Sequence, residues 1–93
     1  MITHDHLESS SAMTLEEAIA EISRRVLAAC PEAVLRVAHV SPEEANIRAY
    51  TPAGAEAAIK QATLDYTFEL LTGEGLDVQV LVYDIATSLP PEA

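Results

Sequence analysis

The stretch VLRVAHVSPEEANIRAY, residues 34–50, decides the fold. Residues 34–40 form a short valine-rich run that reads as a strand, and residues 46–50 read as a second. Between them, Ser41-Pro42-Glu43-Glu44 is a turn with Pro42 presetting φ at its second position. A connection this short makes the pair an antiparallel hairpin. With Val40 set opposite Asn46, His39 faces Ile47, Val37 faces Ala49 and Arg36 faces Tyr50. Leu35, Val37, His39, Ile47 and Ala49 then share one face; Val34, Arg36, Ala38, Asn46, Arg48 and Tyr50 share the other. A slip of one residue would bury Arg48, so the division into faces carries a physical cost.

Upstream, Thr14-Leu15-Glu16-Glu17 has the form of a capping box, in which the threonine hydroxyl and the glutamate satisfy each other's orphan amides. Leu15, Ile19, Ile22 and Val26 recur at helical spacing, and Pro31 stops the helix near Cys30. Downstream, Thr51 as cap and Pro52 as first helical residue are expected to open a second helix. Its core stripe is expected to be Ala55, Ile59, Ala62, Tyr66 and Leu70, with Ala58, Leu64, Phe68 and Leu71 beside it. Gly73 is expected to supply the left-handed terminus. Residues 76–85 read as a third strand, Val78, Val80 and Val82 alternating with Gln79, Leu81 and Tyr83.

The order is α-β-β-α-β. The second helix acts as a crossover, so the third strand runs parallel to one of the first two. The expected architecture is α+β: a two-layer αββαβ sandwich, with a three-stranded mixed sheet and two helices on one face. One domain spans residues 14–85, flanked by a flexible N-terminal tail at 1–13 and a C-terminal tail at 86–93. The uncovered sheet face then displays Arg36, Arg48, Tyr50 and Tyr83. Arginine and tyrosine offer large, orientable contact areas, and these four are the expected interaction surface.

Composition narrows the function. The 93 residues carry 15 acidic and 5 basic side chains, a formal charge of −10. Binding to nucleic acid draws on Lys and Arg neutralising phosphates, so such a chain is poorly suited to it and to anionic membranes. No run approaches the roughly 20 apolar residues of a membrane helix, and no basic-then-apolar leader opens the chain. A cytoplasmic location and a protein partner, or a second copy, are the expectations. The single cysteine, Cys30, excludes an internal disulfide.

No catalytic constellation or cofactor is expected. His4-Asp5-His6 has metal-ligating groups but too few for a fixed site. His39, on the core face, is read as a satisfied, partly buried histidine. Cys30 lies at the carbonyl end of a helix, opposite to the amide end that activates a nucleophilic thiol. Gly73-Glu74-Gly75 follows a helix and precedes a strand, the wrong order for a phosphate-binding loop. The acidic pairs Glu16-Glu17 and Glu43-Glu44 sit at surface termini, where they complement local dipoles.

The layout from Glu16 to Asp84 resembles the minimal nucleotidyltransferase domain. Val37-Ala38-His39-Val40-Ser41 matches that family's first strand and glycine-serine turn, and Asn46-Ile47-Arg48 its Asp-x-Asp strand. Residues 75–84 look like its last strand. The glycine is replaced by Val40 and the two acids by Asn46 and Arg48. Metal-assisted nucleotidyl transfer needs those carboxylates, so the resemblance implies a catalytically inactive relative with nucleotide binding near Ser41 and Asn46. The KH-like fold of ribosome-binding factors shares a similar element order, but the charge argues against RNA. The leading expectation is a small, acidic, non-enzymatic protein-interaction module that dimerises through the open sheet face.

Overall fold

A computed structural model describes residues 13–88. The elements are α1 (Leu15–Ala29), β1 (Val34–Ser41), β2 (Glu44–Thr51), α2 (Glu56–Glu69), a wide π turn over Leu70–Glu74, and β3 (Asp77–Asp84). The chain is α+β in the order α-β-β-α-β. The sheet order is β1-β2-β3, with β1 antiparallel and β3 parallel to β2. His4-Asp5-His6 and the outer parts of both expected tails lie outside the described residues. Met13, assigned to the first tail, donates its backbone N–H to Glu74 Oε1 at 3.4 Å.

The capping box at the start of α1 is present in both directions. The Glu17 N–H donates to Thr14 Oγ1 at 3.1 Å, and the Thr14 N–H to Glu17 Oε1 at 3.0 Å. Leu15, Ala18, Ile19, Ile22 and Val26 are buried along one face of α1. They join Ala45, Ile47 and Ala49 of β2 and Val78 of β3 in the core. Ile59 and Leu70 close that core from the α2 side. Both helices therefore cover the same face of the sheet.

The hairpin register differs from expectation by two residues. Pairing runs on to Ser41 opposite Glu44, so the connection is only Pro42-Glu43, and Ala38 rather than Val40 faces Asn46. The displaced residue is absorbed as a bulge between His39 and Ser41. Side chains alternate with period two, so a shift of two leaves every residue on its expected face. Arg36 consequently lies opposite Arg48, and Val34 opposite Tyr50.

The entry to α2 also differs. Thr51 is the last residue of β2, paired with Asp84, and its carbonyl accepts the Ile85 N–H at 2.9 Å. Sheet pairing thus takes the backbone that a helix cap would need. The chain turns through Gly54, at φ +93°, before α2 begins at Glu56 with no side-chain cap. At the far end Gly73 sits inside the π turn, and Gly75, at φ +72°, is the left-handed residue. The N–H groups of Gly75 and Leu76 both donate to the Leu70 carbonyl, which binds the helix end to the start of β3.

A polar clamp joins the helices. Arg24 Nη2 and Arg25 Nε reach Glu21 Oε2 at 2.6 and 2.8 Å, and the Arg25 guanidinium lies 4.3 Å from the centre of the Tyr66 ring. Burial, then the Glu21 carboxylate, push the Tyr66 phenol upward. Hydrogen bonds from Arg24 and Arg25 lower Glu21 from 4.5 to about 2. A carboxylate lowered on folding stabilises the fold above its ordinary pKa, and that contribution is lost as pH falls through the lowered value. Thermal melts of the wild type and Glu21→Gln are expected to differ at pH 7. The difference should narrow as pH falls from about 4.5 to about 2; a gap unchanged across that interval would refute the clamp.

Candidate interaction surfaces

Two surfaces stand out, one expected and one not. The expected surface is the sheet face opposite the helices. Strand pairing sets its rows: Val34, Tyr50 and Tyr83 in one, Arg36, Arg48 and Leu81 in the next, then Ala38, Asn46 and Gln79. The four residues singled out from sequence are thus brought together. The Tyr50 and Tyr83 rings stack with centroids 5.3 Å apart and planes 23° from parallel. Tyr50 is 6% exposed and so serves the fold more than a contact, whereas Arg36, Arg48 and Tyr83 are half-buried. Arg36 Nη1 donates to the Leu35 carbonyl at 2.9 Å. Arg48 Nε is shut away from solvent without a hydrogen-bond partner. Arg36 and Arg48 are thus like charges directly across a strand pair, an arrangement that by itself opposes folding.

The second surface is the outer flank of α2 against β3. Leu64, Phe68 and Leu71, expected beside the core, are 65%, 64% and 50% exposed, and Thr63 takes the buried position instead. Sheet width explains this. Three strands span roughly 10 Å between outer strand axes, about the spacing of two packed helices. With α1 packed on β2 and α2 on β3, the far side of α2 overhangs the sheet edge. A groove of about 310 Å³ lies there, lined by Leu64, Phe68, Leu71 and Val80, with Lys60 and Asp77 also contributing. The signal was present in the sequence. At roughly 100° per residue, Leu64 and Phe68 fall about 150° around the helix from Ile59 and Tyr66. A helix that is apolar on two sides is built to be covered on both.

The positions suggestive of chemistry are dispersed. His39 is exposed rather than partly buried, because β1 is a sheet edge at this point. Its Nε2 meets Glu16 Oε2 at 2.8 Å, and no serine or cysteine hydrogen-bonds the ring among the described residues. Cys30 is buried at the end of α1. The Ser41 hydroxyl accepts the Glu43 N–H at 3.2 Å, within its own turn. Asn46 and Arg48 occupy neighbouring rows of the open sheet face, on the central strand. Among the described residues no group of three or more His, Cys, Asp or Glu side chains is placed to hold a metal ion. Nor is any helix among them long and apolar enough to cross a membrane.

No family model, curated protein or solved structure matches the chain.

Proposed function

We propose that this chain is a small, non-enzymatic protein-interaction module whose main docking surface is the α2 flank beside β3. The observation that carries the reading is the exposure of Leu64 and Phe68, 65% and 64%, next to a sheet edge. Contiguous exposed apolar side chains on a small soluble domain mark sites of association. An edge strand adds unpaired backbone donors and acceptors, which another chain can complete. The Arg36–Arg48 row is a second, polar surface of the same module, supported by the partial exposure of Arg36, Arg48 and Tyr83.

The test compares immobilised wild type with Leu64→Glu/Phe68→Glu and with Arg36→Glu/Arg48→Glu, each shown folded by circular dichroism. Each is exposed to native lysate supplemented with a tagged second copy of the chain. The expected result is that wild type retains a binder, Leu64→Glu/Phe68→Glu releases it, and the arginine variant keeps it. Equal retention by wild type and the α2 variant, or no binder for either, overturns the reading. Titration with a magnesium nucleotide supplies a further check. Chemical-shift changes confined to residues 41–48 would replace docking by nucleotide binding.

A further inference from the structure

Backbone polarity along β3 decides what can bind there. The Asp77 N–H donates to the Glu43 carbonyl and the Ile85 N–H to the Thr51 carbonyl, both at 2.9 Å. In a parallel pair each residue turns its N–H and its carbonyl to the same side, and successive residues alternate. Asp77, Gln79, Leu81 and Tyr83 therefore bond to β2, in register with Glu44, Asn46, Arg48 and Tyr50. The N–H and carbonyl groups of Val78, Val80 and Val82 point outward, at an edge that no further strand covers among the described residues. That edge has no lysine, no proline and no bulge, the devices that protect an edge from pairing. It closes at Asp84, whose carbonyl accepts the Ser88 N–H at 2.8 Å.

The side chains of those three valines lie on the helix side of the sheet, packed into or against the core. Above them α2 projects Leu64, Phe68 and Leu71. Thr63 and Thr67 complete that wall, but their hydroxyls donate to the carbonyls of Ile59 and Leu64 at 2.9 and 3.0 Å. The wall thus consists of apolar side chains and hydroxyls already satisfied within the helix. A strand laid beside β3 finds backbone partners in the sheet plane and apolar cover on the helix side. It must bring no helix of its own to that side. A second copy paired through β3 would do so, and the two overhanging helices would collide.

Charge narrows the occupant further. From Glu56 to Asp84 the acidic residues are Glu56, Asp65, Glu69, Glu74, Asp77 and Asp84, against one basic residue, Lys60. Lys60 Nζ is already held by Glu56 Oε2 at 3.4 Å. The strand itself, DVQVLVYD, has an acid at each end and no charge between. A segment with basic ends is favoured along it, and one with acidic ends is repelled.

We propose that the β3 edge takes up a lone extended segment of a partner protein, apolar at alternate positions and carrying lysine or arginine at its ends. The segment pairs with Val78, Val80 and Val82 as a fourth strand, and its apolar side chains pack beneath Leu64 and Phe68. The inference rests on the docking role proposed for this flank and names the partner's chemistry.

Selection of random linear peptides against the 93-residue chain, followed by amide hydrogen exchange with a selected peptide, tests it. Selected peptides should share alternating apolar positions flanked by lysine or arginine, and their binding should weaken as salt is raised. The Val78, Val80 and Val82 amides should exchange freely in the chain alone and slow when the peptide binds. Leu64→Glu/Phe68→Glu, shown folded by circular dichroism, should weaken binding by about tenfold or more. N-methylation of the peptide amides that face β3 should abolish it, and Arg36→Glu/Arg48→Glu should still bind. Peptides with helical spacing or acidic ends, or a bound peptide that leaves these amides unprotected, overturn the inference. So do amides already protected in the chain alone. Protection that grows with concentration makes a second copy the occupant, and protection lost on deletion of residues 1–12 makes this chain's own segment the occupant. If no peptide is selected the inference falls, and the docking role survives only where Leu64→Glu/Phe68→Glu releases a lysate binder that wild type retains.

Discussion

Replacing Ile47 by alanine is expected to lower the free energy of unfolding by about 2–5 kcal/mol, the range for large-to-small changes in a closed core. Ile47 is fully buried at the middle of β2, the central strand. Its side chain lies in the cluster that holds α1 and α2 against the sheet, with Ile22 and Ile59, both also fully buried. A cavity there is surrounded by regular elements on both layers and has little room to collapse. The domain is small, with total stability expected at roughly 5–10 kcal/mol. The substitution therefore removes a large fraction of it. Urea denaturation checks this, with a lower midpoint and an unchanged slope as the expected outcome. A loss below about 0.5 kcal/mol, the size of an ordinary surface change, would show that the core is not closed at Ile47.

The second large effect is expected at Tyr50. Its ring is buried, stacked on Tyr83 and placed across from Val34. Tyr50→Ala is expected to lower stability by about 3–5 kcal/mol, as for other large aromatic truncations. Tyr83 is half-buried, so Tyr83→Ala should do less. The double variant should reveal a coupling of about 0.5–1.5 kcal/mol, the usual contribution of an aromatic pair beyond its buried area. Tyr50 lies on the sheet face away from both helices, and a surface-contact role alone predicts almost no change in stability for its truncation. Denaturation of the two single variants and the double variant separates these accounts. A Tyr50→Ala protein as stable as wild type would return that residue to the contact surface.

The contrast between Tyr50 and Leu64 shows where sequence reading stopped. Local patterns located the capping box at Thr14 and Glu17, the Pro42 turn and the apolar stripe of α1 through Ile22 and Val26. They also assigned the side chains of all three strands to their faces. Each of these depends on neighbours within a few residues, or on a strict period of two. Even the hairpin register, two residues from its expected position, left those faces unchanged.

Tertiary structure decided the features that depend on distant partners. Whether Thr51 capped a helix or closed a strand rested on Asp84 and Ile85, more than thirty residues away. Whether Leu64 and Phe68 lay inside or outside depended on the sheet ending at β3, which among the described residues leaves no further strand beneath the overhanging side of α2. An apolar residue on a helix seeks cover wherever it can be found; periodicity shows which side it occupies, and only the number and order of strands determines whether this chain supplies the cover. The residues of the sheet face were therefore legible in the sequence, whereas the exposed α2–β3 groove emerged only from the assembled fold.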